Sequence, residues 1–341
     1  MQAIRRFLLR EHNLVFLFCM AVMTGPAIAI LFAFDLSQTK DCYTYLGLAH
    51  FDFDQSPVRR FRVIIPFAAA ALNKVFGGVF SKLAPSYFKG DFGLPFSFFL
   101  INISLMSYYG VLIYRYCKAY ALPTTISLLG LLVMLTCRYT SYTAALPMVD
   151  SLFCVVVAMV LLGIKEQHTA MLVTAIFLGP FAKEAFIFIA PLIFFYSHID
   201  KRKLIGYFLL SGILVFTYRY VYELYAPVQV VDGLRADLYH FYRIPTYTKT
   251  LFGGMGLYKV VSNLFVWLAV PVAAYVFIPG YFKAAVKRME SIWLWFMASV
   301  VLQMVLSGSL ERMFYISMPV LCLWVAVTAN ELKKQYARGE K

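Results

Sequence analysis

Apolar runs of nearly membrane-crossing length follow one another along this whole chain, and they limit its folding more than any other feature. A helix that crosses a bilayer needs roughly 20 predominantly apolar residues, and about ten stretches approach that standard. In lipid the backbone must satisfy its own hydrogen bonds, so such runs fold as helices packed into a bundle. Composition agrees: 62% of the 341 residues are hydrophobic and 18% are aromatic, and the mean hydropathy is +0.74. That is too apolar for a soluble domain of this size. The expected fold class is an all-α integral membrane protein with about ten transmembrane helices. It forms one polytopic domain over residues 1–341, with no separate soluble domain.

The net charge of +14 raises nucleic acid as a partner. The cations are scattered at the ends of apolar runs rather than gathered on one face, which excludes that reading. Anchoring beside anionic membrane lipids accounts for most of them. Arg5, Arg6 and Arg10 precede the first span, about 13–34, so the N-terminus is expected in the cytoplasm and the loop 35–66 outside. Ala27-Ile28-Ala29 resembles a signal-cleavage site, but the apolar run continues through Phe34, so a retained first helix is expected.

Residues 63–80 are apolar but interrupted by Pro66, Lys74 and Gly77-Gly78. If they cross, the clusters Arg115/Lys118, Lys201-Arg202-Lys203 and Lys283/Lys287/Arg288 all fall outside. If they lie on the surface, or dip in and return, those clusters fall inside. The positive-inside bias therefore predicts an interfacial or re-entrant helix in a first outer loop spanning 35–94. Later spans are predicted at about 95–114, 122–137, 150–165, 169–182, 185–198, 204–224, 257–280, 291–308 and 313–330, several of them short. A second long outer loop covers 225–256, and both termini are cytoplasmic. The small size favours a bacterial cytoplasmic membrane over endoplasmic reticulum. Five of the six cysteines lie in or beside apolar runs and none forms a CxxC, so neither a disulfide nor a cysteine metal site is predicted. Cys42 reads as a packing residue.

The loop 35–66 concentrates chemistry. It holds Asp35, Asp41, Asp52, Asp54 and the basic cluster Arg59, Arg60, Arg62, on the side where cations are usually sparse. Asp41, Tyr45 and Ala49 share one face if this part is helical, and a carboxylate there suits a general base acting on a sugar hydroxyl. A solvated loop acid or a cap is the competing explanation. Asp35 is the rival base and also a natural span-end cap; Asp52 and Asp54 read as loop solvation. The arginines offer planar forks for phosphate oxygens, Arg62 above all, although snorkelling to lipid headgroups would also place them there. Asp150, Lys183-Glu184 and Glu311-Arg312 stand at turns on the same side, and ionisable residues at membrane depth are functional candidates. The five histidines form no ligand set. The acids carry oxygens suited to a divalent cation, but no metal or other cofactor is predicted.

The run Asp41-x3-Tyr45-x3-Ala49, followed by Arg62-Val63-Ile64-Ile65-Pro66, resembles the C-type glycosyltransferases, in particular the mannosyltransferase-like multi-span proteins. Asp150, Lys183-Glu184 and Glu311-Arg312 followed by Pro319 fall where such chains carry comparable residues. The resemblance implies an inverting transfer of a sugar from a polyprenyl-phosphate donor to a glycan, lipid or protein acceptor at the outer or lumenal face. It implies Asp41 as general base, and Arg62, Lys183 and Arg312 around the donor phosphate. Tyr45, Arg59, Asp150, Glu184, Arg243 and Glu311 complete the candidate substrate-binding set. The chain departs from the pattern in that Asp41 is followed by Cys42 rather than by a second acid, and in lacking a large outer domain. Two other functions compete. A transporter or flippase for a lipid-linked sugar or anion would need ionisable residues in mid-span, where only Asn102, Asn263 and Gln303 stand out. A polysaccharide polymerase or ligase would use a late outer loop, where Arg235, His240 and Arg243 lie.

Overall fold

The structure, a computed structural model, describes residues 10–56, 59–85, 91–227, 242–262, 266–278, 280–281, 290–307 and 309–339. Every regular element among them is helical. The helices used below are α1 (Glu11–Ala33), α2 (Lys40–Ala49), α3 (Ile64–Phe80), α4 (Gly93–Ala119), α5 (Thr124–Leu135), α6 (Arg138–Ala145), α7 (Asp150–Lys165), α8 (Thr169–Ala182), α9 (Ala190–Tyr196) and α10 (Lys201–Tyr225). They are followed by α11 (242–252), α12 (Gly254–Ser262), α13 (Ala269–Phe277), α14 (Ser291–Ser307), α15 (Leu310–Tyr315) and α16 (Met318–Gly339).

The bundle is built around α7. Every residue from Asp150 to Gly163 is buried, as expected of a helix apolar on all sides. On α1 the pattern is one-sided: Val15, Cys19, Met23, Ala27 and Leu31, spaced four apart, are buried, while Leu14, Leu17, Phe18 and Val22 face outward. This stripe packs on α4. The two backbones meet closely at Gly110, where a Cβ would strike the Cys19 sulfur; small residues at helix crossings serve this purpose in apolar surroundings. α10 buries little more than Leu204, Ser211 and Tyr222, so most of its surface faces away from the bundle.

Four helices are long and apolar enough to cross a membrane: Glu11–Ala33, Ile64–Leu83, Gly93–Ala119 and Lys201–Tyr225. Other apolar segments are shorter, such as Thr124–Leu135 and Thr169–Ala182. The run expected at 185–198 is divided into a 3-10 turn, Glu184–Phe188, and the short α9. Among the described residues only these four combine the length and the hydropathy needed to cross, against about ten expected from hydropathy.

Residues 64–80 form one uninterrupted helix. Pro66 sits in its first turn, where a proline removes no needed hydrogen bond. A dip and return inside this segment is therefore excluded. Arg62, just before α3, contacts Glu184 and Tyr45. Its other end packs Phe80 on Phe96 at 5.1 Å and Gly77 against Gly93, in the first turn of α4. Both ends of α3 thus meet residues from the same end of the bundle.

Candidate functional site

That end of the bundle gathers a chain of charges from five segments. Asp41 lies in the first turn of α2 and Asp150 in the first turn of α7, where the helix dipole favours a carboxylate. Lys183 follows the last residue of α8, where the dipole favours a cation. Arg312 comes from the short α15 and links the two acids, pairing with Asp41 through Nη1 and with Asp150 through Nη2. Lys183 Nζ donates to the other oxygen of Asp150 at 3.0 Å. Arg59 Nε pairs with the second oxygen of Asp41. Beside this chain, Arg62 forks onto Glu184, with Nη2 2.6 Å and Nε 3.0 Å from Oε2, and its Nη1 donates to the Tyr45 hydroxyl at 2.9 Å.

The placements follow from local chemistry. After α2 the chain doubles back at Phe51, whose φ of 61° is rarely adopted outside glycine. Asp52 builds this turn: its carboxylate accepts from the Asp54 amide at 3.1 Å and from the Gln55 side chain at 2.7 Å. Gly47 leaves space for the Gln55 amide, which a Cβ there would strike. The reversal returns Arg59 to Asp41. At the other acid, Asn102 of α4 donates to the carbonyls of Leu146 and Met148 at 2.8 and 3.0 Å and accepts from the Ser151 hydroxyl at 2.6 Å. This fixes the start of α7 and with it Asp150. A lone amide within an apolar run was the sequence signal for Asn102, and its role is positional.

Most of the predicted residues converge here: Asp41, Tyr45, Arg59, Arg62, Asp150, Lys183, Glu184 and Arg312. Glu311 instead faces Arg138, at 3.4 Å, on the rim. Arg243 is exposed on α11 and is not one of the side chains in these pairings. Arg235, His240 and Asn263 lie outside the described residues. The basic cluster does not act as a unit. Arg60, 1% exposed, turns away to bond Ala226 O at 2.6 Å and pair with Glu223, between the Phe61 and Tyr222 rings. It fastens the first loop to α10. Asp35 caps its own 3-10 turn and lines a separate cavity of ≈ 590 Å³ with His50 and Asp91.

Burial pushes the Asp41 carboxyl upward, but Arg312 and then Arg59 outweigh it and hold the group below its ordinary value. Burial lowers the Lys183 ammonium to about 8 against the pull of Asp150. The Cys42 thiol next to the base candidate is pushed up to about 11 by burial, so it is not a thiolate at neutral pH. All six cysteines are buried and unpaired. Among the described residues no three His, Cys, Asp or Glu side chains come together as a metal site. Comparison of the chain with protein-family models, with curated proteins and with solved structures finds no match.

Proposed function

We propose that this protein is a membrane glycosyltransferase that takes a sugar from a polyprenyl-phosphate donor and passes it, with inversion, to a glycan, lipid or protein acceptor. The observation that carries the reading is the mixed charge cluster around Asp41, buried at one end of an apolar bundle. Four cations (Arg59, Arg62, Lys183, Arg312) face three carboxylates (Asp41, Asp150, Glu184). The surplus of one positive charge suits a phosphodiester, which carries one negative charge, better than a diphosphate. The Nε–H of Arg312 is buried with no partner among the described residues, leaving a donor for a phosphate oxygen.

In this mechanism Asp41 accepts the proton of the acceptor hydroxyl while the acceptor oxygen bonds to the anomeric carbon. The bond from that carbon to the phosphate oxygen breaks, and its electron pair leaves with the phosphate. Arg312, Lys183 and Arg62 stabilise the charge that builds there. Supporting a membrane-surface location for the chemistry, α3 is apolar and both of its ends meet the same end of the bundle, which suits an interfacial helix lying along the outer face. The wider proposal is a multi-pass protein of about ten spans, with cytoplasmic termini, in a bacterial cytoplasmic membrane.

The test is transfer from a panel of radiolabelled polyprenyl-phosphate sugars by purified protein, with membrane extract as acceptor source, wild type beside Asp41→Asn. Loss of a positioned general base lowers the rate by roughly 10²–10⁴-fold, with the thermal unfolding transition retained. Transfer by the variant at the wild-type rate removes Asp41 as the base.

A further inference from the structure

We propose that Arg59 is a latch on Asp41: it occupies one carboxylate oxygen until an anionic phosphate draws it away and leaves that oxygen free to accept a proton. This rests on the reading of Asp41 as the base and of the cluster as a phosphate site.

Both oxygens of Asp41 are engaged, one by Arg59 and the other by Arg312. A carboxylate in that state is a poor proton acceptor, since a proton must displace a cation. The two cations differ in freedom. Arg312 belongs to a helix, its side chain is 15% exposed, and Asp150 holds it from the other side. Arg59 lies in a turn outside any helix and its side chain is 32% exposed. Its further bond is a long one to Ser56 Oγ, at 3.3 Å, within the same turn. Arg59 is therefore the partner that can swing without dismantling the bundle.

Other groups around Asp41 do not supply such a switch. Among the described residues, Arg312 and Asp150 are the other charged side chains that act most strongly on it, and they neutralise each other in a direct pair. Cys42, Tyr45 and Tyr142 also face it, and all three are neutral near pH 7. A phosphate bound beside Lys183 and Arg62 would compete for the guanidinium of Arg59, which matches two phosphate oxygens at once. Removing one of two cations raises the proton affinity of the carboxylate at the moment the leaving group is in place. Without donor, Asp41 stays ionised with both of its oxygens occupied.

The test is an infrared titration of the Asp41 carboxyl, identified as the band lost in Asp41→Asn, on full-length protein in nanodiscs. Citronellyl phosphate serves as the probe, with its binding followed by calorimetry. Probe binding is expected to raise the wild-type midpoint by roughly one pH unit. Arg59→Gln is expected to show the raised midpoint without probe and no further rise with it, and Arg59→Lys an intermediate value. Probe binding that leaves the wild-type midpoint in place overturns the latch and leaves the phosphate site standing. So does an Arg59→Gln protein that titrates as wild type. Absence of probe binding overturns the phosphate reading and the latch together. The wild-type comparison needs no folded Arg59 variant.

Discussion

The two ends of the bundle handle charge differently. At the end holding Asp41, the side chains of Lys183, Asp150, Asp41, Arg62 and Arg312 are only 7% to 15% exposed, with Arg59 and Glu184 at the edge of the cluster at 32% and 33%. At the opposite end, Arg115 pairs with Glu166 and Lys165 with Glu290, and those four side chains are 27% to 40% exposed. There Tyr120 donates to Glu290 at 2.7 Å, Lys165 lies 3.8 Å from the centre of the Tyr120 ring, and Trp293 donates to Tyr116 and Tyr120 at 3.1 Å. These groups tie helix ends together while keeping contact with solvent. Solvated pairs contribute little each, and losing one is tolerated. Withdrawing charges from solvent carries a desolvation cost that the pairing only partly offsets. A bundle that needed only cohesion could use the arrangement of the solvated end at both ends. The buried cluster is better explained by something it does.

Removing one cation at each end separates the two arrangements most strongly. Arg312→Ala leaves Asp41 with Arg59 alone and Asp150 with Lys183 alone. Breaking a buried pair costs about 3–5 kcal/mol, read as a large fall in thermal stability in detergent. Lys165→Ala should cost about 1 kcal/mol or less, because its pair is part-exposed. Equal losses would dissolve the distinction between the two ends.

The buried end also responds to pH. Lys183 is protonated below about 8 and loses its charge above that value. Transfer that depends on this cation should therefore fall as the pH rises through about 8. In Lys183→Arg the guanidinium stays charged throughout, so the alkaline fall should move upward or vanish. An unchanged alkaline limb would remove Lys183 from the charged machinery. On the acid side the sign is reversed. Asp41 is held below its ordinary value of 3.8, so its contribution to stability is present above that value and is lost as pH falls through the lower, folded-state value.

The smallest expected effect lies on the rim. Arg138 is 78% exposed and stands 3.4 Å from Glu311. Arg138→Ala should change stability by less than about 1 kcal/mol and leave transfer near the wild-type rate. A large loss of transfer there would extend the site outward, to include Glu311 as first expected.

Composition and hydropathy were enough to give the material of this protein. Hydropathy is a local property, so the all-helical architecture and the apolar character of α1 and α7 could be read from composition; which face of α1 is buried could not, because Leu14, Leu17, Phe18 and Val22 on its outer face are apolar as well. The residue types of the site were legible too, because a buried acid or cation in so apolar a chain stands out. Which charges meet depended on how distant segments pack. Asp41 and Arg312 are 271 positions apart, and no periodic pattern links residues at that separation. It also separated Arg59, Arg60 and Arg62, neighbours in sequence that are held by Asp41, Glu223 and Glu184 respectively. Neighbours outside a regular helix share no face, so the partner each finds depends on how α2, α8 and α10 pack. Hydropathy likewise could not set the lengths of the helices. A run such as 185–198 is apolar throughout its middle, yet it divides into a 3-10 turn, Glu184–Phe188, and the short α9, with Pro191 in the first turn of α9, where a proline begins a helix rather than continuing one.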